Sequence, residues 1–237
     1  MAKIPTLLEM LQAGVHFGHK RAKRHPAMQP FIYGEHNGVN IIDLAKTNQQ
    51  LVKAYEAVKA VAAKGGTILF VGTKTQVKEI IKKYAAESGS PFIVERWLGG
   101  TLTNFQVISR LTSKLKKLES MKQGSDWDLY TKKERLVFDR DRAKLETLVG
   151  GIKDMNIIPQ LVVVTDCKKD KTALTEAKKT KIPVVAITDT NVDPRGIAYP
   201  IPANDDALNS LGMIIGLLSQ AIVEGKKERA VNITAKQ

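Results

Sequence analysis

Two kinds of hydrophobic pattern alternate along the chain. Short runs that are apolar throughout, TILFVG (67–72), PFIVE (91–95), QLVVVTD (160–166), PVVAITD (183–189) and AYPIP (198–202), predict five strands. Between them, apolar residues recur every three or four positions. This spacing predicts a helix over 75–89 ended by Gly89, one around 171–180 and a last one over 205–224. Strands without a polar face, alternating with helices, indicate a parallel sheet covered on both sides. Five strands connected in this way suit a flavodoxin-like, doubly wound order, a three-layer α/β/α arrangement.

Upstream, Thr6 and Glu9 form a capping-box pattern for a short helix that Gly14 ends. GVNIIDL (38–44) is a further strand candidate. Thr47, with Gln50 three residues on, is expected to cap a helix carrying Leu51, Tyr55, Val58 and Ala62 on one face, stopped by Gly65-Gly66.

The interval 104–155 breaks the alternation. Ile108, Leu111, Leu115 and Leu118 form one apolar stripe, and Leu145, Leu148, Ile152 and Met155 another. Thr131 and Glu134 make a second capping box between them. Two such stripes joined by a Gly-Ser-Asp turn (124–126) predict an inserted antiparallel coiled-coil helical hairpin. Its outer faces carry Lys114, Lys116, Lys117, Lys122, Lys132, Lys133, Arg135, Arg140 and Arg142, with acids interleaved. The expected organisation is an α/β domain from 1–103 and 156–225, the hairpin at 104–155, and a mobile polar tail at 226–237.

Charge narrows the function. The 237 residues hold 37 Lys and Arg against 24 Asp and Glu, a net +13 with a pI near 9.7. That excess is a footprint for a polyanion. Its densest window near the N-terminus holds His16, His19, Lys20, Arg21, Lys23, Arg24 and His25; Pro26 and Pro30 argue against a helix there, and a loop that orders on RNA is expected. Cys167 is the single cysteine, which excludes an intrachain disulfide or thiolate zinc cluster. No secretory signal is evident, and the longest apolar run, GMIIGLLSQAIV (212–223), falls short of a membrane span, so a cytoplasmic protein is expected.

In open α/β sheets ligands bind at the carboxyl ends of the strands. Those ends carry Gly72-Thr73-Lys74, Glu95-Arg96-Trp97, Asp166, Asp189 and Asn204-Asp205-Asp206. GTKT (72–75) is not a Walker loop, and RWLGGTLTN (96–104) lacks the GxGxxG spacing. Both still suit backbone phosphates. Arg96 would supply charge, Trp97 stacking, Gly99-Gly100 a close approach, and Thr101, Thr103 and Asn104 donors and caps, with Thr103 and Gln106 capping the following helix. Asp189, Asp193, Asp205 and Asp206, with His16 or His19, could hold a divalent ion such as zinc or magnesium, His16, Asp189 and Asp205 being the leading candidates; helix capping by Asn204 and its neighbouring acids is the competing reading. No nucleophile elbow or HExxH occurs, so an enzyme acting on a phosphorylated ligand has the right sheet but no catalytic equipment.

GVHFGH (14–19), NGVNIIDLAKT (37–47), ILFVGTK (68–74), RWLGGTLTN (96–104), TKKE (131–134), GGIKDM (150–155), ITDTNVDP (187–194) and IPANDDA (201–207) follow one another in the order found in bacterial small-subunit ribosomal protein S-two. The chain resembles that family over roughly 6–224. The resemblance implies a flavodoxin-like domain with a coiled-coil insertion after the second parallel strand. It implies a structural, non-catalytic part of the small (30S) subunit, bound to 16S rRNA between head and body. It also implies a role in docking ribosomal protein S-one for capture of messenger RNA, with no membrane, cofactor or small-molecule substrate. Against the family's aromatic and Asn-Pro-Lys-Met the aligned residues here are Arg24, His25, Pro26, Ala27 and Met28, and its usual Arg before the Asn-Gly turn is His36. Residues expected to meet RNA are His16, His19, Lys20, Arg21, Lys23, Arg24, Lys74, Arg96, Trp97, Thr101, Thr103, Asn104 and Arg110.

Overall fold

The computed structural model describes residues 4–124, 127 and 129–234. Five parallel strands form the central sheet: β4 (Ile68–Val71), β5 (Phe92–Ile93), β6 (Leu161–Val164), β7 (Val184–Thr188) and β8 (Tyr199–Pro202), in the order β5-β4-β6-β7-β8. Counted within this sheet, that is 2-1-3-4-5, the flavodoxin-like order.

The strands are apolar throughout because each face meets a different layer. Ile68 and Phe70 of β4 point into one core with Val163, Val185, Ile187 and Ile201. That core is closed by α2 (Leu44–Ala63), α3 (Lys78–Ser88) and α7 (Leu208–Thr234). Leu69 and Val71 point the other way, with Val162, Val164 and Ala186, into a core closed by α6 (Lys171–Lys179) and by the bases of α4 (Phe105–Gln123) and α5 (Lys132–Val149). Helices α4 and α5 lie between β5 and β6 in the chain and are bridged by Lys114–Asp141 at 2.9 Å and Lys122–Asp139 at 2.7 Å. The capping box Thr131/Glu134 starts α5 as its sequence implies. Of the expected turn at 124–126, Ser125 and Asp126 lie outside the described residues.

Several boundaries differ from expectation. The helix α2 is capped by Asp43, whose Oδ1 accepts from the backbone N–H of Ala45 and Lys46. Thr47 lies one turn inside, fully buried, and donates to the carbonyl of Pro202 at 2.6 Å. The last helix begins at Leu208 and continues to Thr234, so most of the segment expected to be a mobile tail is helical; 235–237 lie outside the described residues. Lys226 holds that extension by donating to the carbonyls of Ser88 and Gly89, and Lys59 pairs with Glu228 at 2.7 Å. The stretch Leu208–Val231 is long and apolar enough to cross a membrane, but most of it is buried against the sheet and its neighbouring helices.

The basic N-terminal window is not an unstructured loop. After α1 (Leu7–Gln12) it forms β1 (Phe17–Lys20), two short 3-10 turns, β2 (Ile32–His36) and β3 (Val39–Ile42). These pair antiparallel in the order β1-β3-β2. Pro26 starts the second 3-10 turn, where its missing N–H costs nothing.

Candidate nucleic-acid interface

The three-stranded sheet docks on the carboxyl edge of the parallel sheet. The backbone N–H of His19 donates to Thr190 Oγ1 at 2.9 Å, and that of His25 to the Thr190 carbonyl at 2.8 Å. The side chain of Asn204 donates to the Gly14 carbonyl. Contact is so close at Gly18 that a Cβ there would sit 2.5 Å from Cγ2 of Thr190. Gly18 is required by a neighbouring wall rather than by backbone conformation.

This docking fills the crevice where a doubly wound enzyme would hold its ligand. Lys74, from the end of β4, is half-buried and reaches Asp205 Oδ1 at 3.1 Å, Asp206 Oδ1 at 2.5 Å and Asp166 at 3.7 Å. Burial works against its charge, but the bonds to Asp206 and Asp205 outweigh it and raise its pKa. Burial, with repulsion from Asp189 and Asp166, pushes the Asp205 carboxyl up to about 6. His19 Nδ1 lies 3.0 Å from Asp189, and that hydrogen bond raises the imidazole's pKa. Lys74 is thus engaged by three carboxylates inside the protein.

Of the metal candidates, His19, Asp205 and Asp206 are, among the described residues, the group whose ligand atoms lie within 4.8 Å of one another. His16 is not among them; its pKa is lowered by burial. The residues present fit internal pairing, since Lys74 and His19 already neutralise these acids.

The stretch RWLGGTLTN is an anion cradle, but its anion is internal. The carboxylate of Glu176, on α6, is buried and accepts five hydrogen bonds from the loop. Oε1 accepts from Trp97 Nε1 at 3.0 Å and Gly100 N at 2.8 Å. Oε2 accepts from Leu102 N at 3.0 Å, and from Thr103 N and Oγ1 at 3.2 Å. Burial opposes the charge of Glu176, yet these donors outweigh it and hold the carboxyl below its ordinary range. Three residues expected at RNA are thus engaged inside the protein. Trp97 is buried with its indole on Glu176, Thr101 is buried and donates to the Leu98 carbonyl, and Thr103 is engaged by Glu176 instead of capping α4. Asn104 stands at the N-cap of α4 but makes no side-chain cap bond. Gly100 has φ +91°, a conformation that favours glycine, whereas Gly99 has open space around its missing Cβ. The sharp turn belongs to Gly100 alone.

What remains exposed is basic. Lys20, Arg21, Lys23, Arg96 and Arg110 face solvent, and Arg24 is half-buried. Arg21 makes a solvent-exposed pair with Glu35 at 3.4 Å. Sequence reasoning missed Glu176, although a signal exists. Glu176 falls in the helical stripe Ala173–Glu176–Ala177–Thr180, a charge on a face otherwise turned inward.

The comparisons with known proteins agree with the geometry. The family model described as Ribosomal protein S2 matches residues 10–225. The chain is 46% identical over 228 residues to "Small ribosomal subunit protein uS2" of Corynebacterium urealyticum, covering 96% of this chain and 85% of that protein. It is equally similar, at 46%, to the proteins of that name from Acidothermus cellulolyticus (96% and 83% covered) and Thermobifida fusca (95% and 77%). A crevice filled by the protein's own side chains, basic residues left facing solvent and this likeness lead to one conclusion: the chain belongs to the ribosomal protein S2 family, structural constituents of the small ribosomal subunit and not enzymes.

Proposed function

We propose that the chain binds 16S rRNA through backbone phosphates, along the carboxyl edge of the parallel sheet, and lies between head and body of the small subunit. One observation carries this reading. The acids of that edge are paired within the protein: buried Asp189 with His19, buried Asp205 and exposed Asp206 with Lys74, buried Asp170 with Thr73. The cations Lys20, Arg21, Lys23 and Arg96 face solvent beside them. Segregation of this kind creates a positive field where the mixed composition alone would not. In the same setting the chain helps dock the large ribosomal protein S-one, in the cytoplasm and on the ribosome.

The test is the salt dependence of binding to small subunits that lack this protein. Each phosphate contact releases counterions, so log K should fall steeply with log salt, and Lys20→Ala/Arg21→Ala/Lys23→Ala should flatten the slope by about two to three units. A slope near zero for the wild type, or failure to co-sediment with small subunits at moderate salt, would overturn the RNA reading. The docking role requires that subunits lacking this chain bind S-one poorly and regain it on add-back.

A further inference from the structure

The segment 166–181, DCKKDKTALTEAKKTK, reads as a mixed-charge stretch of the kind that usually marks a solvated helix. Its folded form separates the charges. Asp166, Asp170 and Glu176 are 7%, 2% and 6% exposed. Asp166 accepts from the backbone N–H of Lys168 and Lys169, at 2.8 and 2.9 Å. Asp170 accepts from Thr73 Oγ1 at 2.8 Å, and Glu176 is enclosed by the 97–103 loop. Lys168, Lys169, Lys171, Lys178, Lys179 and Lys181 all face solvent. None of the six side chains makes an ion pair with a described residue.

The helices α4 and α5 behave in the opposite way. Lys114 pairs with Asp141, Lys116 with Asp154 and Lys122 with Asp139. Part of their basic surface is cancelled by nearby acids. The α6 side carries fewer cations, but none of them is held in an ion pair by a described residue, Lys169 being only within electrostatic reach of Asp170.

We propose that the exposed lysines of 168–181 form a second contact surface for RNA phosphates, separate from the N-terminal window. This rests on the RNA reading above and adds a surface to it. Lys171 and Lys178 are seven residues apart on α6, so their attachment points are about 10 Å apart along one face. Beside them runs a groove of about 200 Å³ that apolar residues such as Leu174, Ile182 and Ile197 line together with Lys171, Lys178, Asp193 and Arg195. Its one carboxylate is already spent, since Asp193 pairs with Arg195 at 2.8 Å. Exposed lysines outside any ion pair, on a surface whose acids are buried or, at Asp193, held by Arg195, suit a phosphate backbone read by charge and not by base edges.

The experiment compares two full-length variants. One carries Lys168→Gln, Lys169→Gln, Lys171→Gln and Lys178→Gln; the other carries Lys114→Gln, Lys116→Gln and Lys122→Gln. Gln and Lys have similar helix propensity, so circular dichroism should show both folded. Binding to small subunits lacking this protein is measured from low to moderate salt. The α6 variant should flatten the log K–log salt slope by about three units and lose on the order of a hundredfold in affinity at 0.1 M salt. The α4 variant should flatten it by less than one unit. Wild-type binding with normal salt dependence and an unchanged slope in the α6 variant would overturn the proposal while leaving the RNA reading intact. An unchanged slope on naked 16S rRNA, with loss of binding only to assembled subunits, would overturn it in favour of an acidic protein partner. A wild type that binds no RNA at all would overturn both.

Discussion

Trp97 and Glu176, 79 positions apart, are joined by a hydrogen bond of 3.0 Å from the indole Nε1–H to Oε1. The bond is one of five that wrap the 97–103 loop around a single buried carboxylate, directly before α4 begins. It joins the second parallel strand, the base of α4 and helix α6 into one unit.

Removing that carboxylate leaves several donors buried without an acceptor. Glu176→Ala should therefore cost about 3 kcal/mol or more, while Trp97→Phe, which loses one bond and keeps most of the packing, should cost about 1–2 kcal/mol. Urea denaturation of both single variants and the double variant measures the coupling. If the two effects simply add, the indole–carboxylate bond contributes nothing of its own.

The folded pKa of Glu176 is depressed, so its stabilisation is present above the unfolded carboxyl pKa and is lost as pH falls through the folded one. Between pH 5 and 2 the wild type should lose stability faster than Glu176→Gln. Parallel acid titrations of the two proteins would refute the assignment.

For His19 the sign is reversed. Its pKa is raised by Asp189, so its contribution is present below the unfolded value of 6.5 and fades as pH rises through the higher folded value. Amide exchange in 17–42 should accelerate, relative to the rest of the domain, from pH 6 to 8 after correction for intrinsic rates. In His19→Gln that extra acceleration should vanish.

The two adjacent glycines differ. Gly100→Ala must adopt φ +91° and approach Asn104, and should destabilise by about 1 kcal/mol or more; Gly99→Ala should stay within about 0.5 kcal/mol. Thermal unfolding of each variant decides it, and equal losses would show that the turn depends on both.

Truncation after Gly225 removes Lys226, which donates to the carbonyls of Ser88 and Gly89, and Glu228, which pairs with Lys59. The expected loss is about 1–2 kcal/mol, read as a lower midpoint in urea. A truncated protein as stable as the full chain would return the segment to the status of a tail.

The layers of the fold were readable because they rest on periodicity. A strand such as Leu161–Val164, apolar at every position, can only lie between two covered faces, and the stripes of α2, α4 and α5 declare one inward side each. Capping boxes at Thr6 and Thr131 were equally legible, since both partners lie three residues apart. Thr47 misled for the same reason: its local pattern imitates a cap, while its actual partner, the Pro202 carbonyl, is 155 residues away. Of the β1–β3–β2 sheet only β3 was legible, in GVNIIDL (38–44); β1 and β2 were missed because short, basic and proline-punctuated strands carry little propensity and are held by pairing and docking.

By itself, then, the sequence determined the fold class, the basic character and the family. These depend on local pattern, net charge and the order of motifs, all of which survive without coordinates. The tertiary structure alone decided which charges are spent and which are free. Lys74 and Arg96 look alike in the chain, yet one is half-buried against three carboxylates and the other faces solvent. A charge's availability depends on which distant group folding places within a few ångströms of it, and the pattern of neighbours along the chain does not encode that distance.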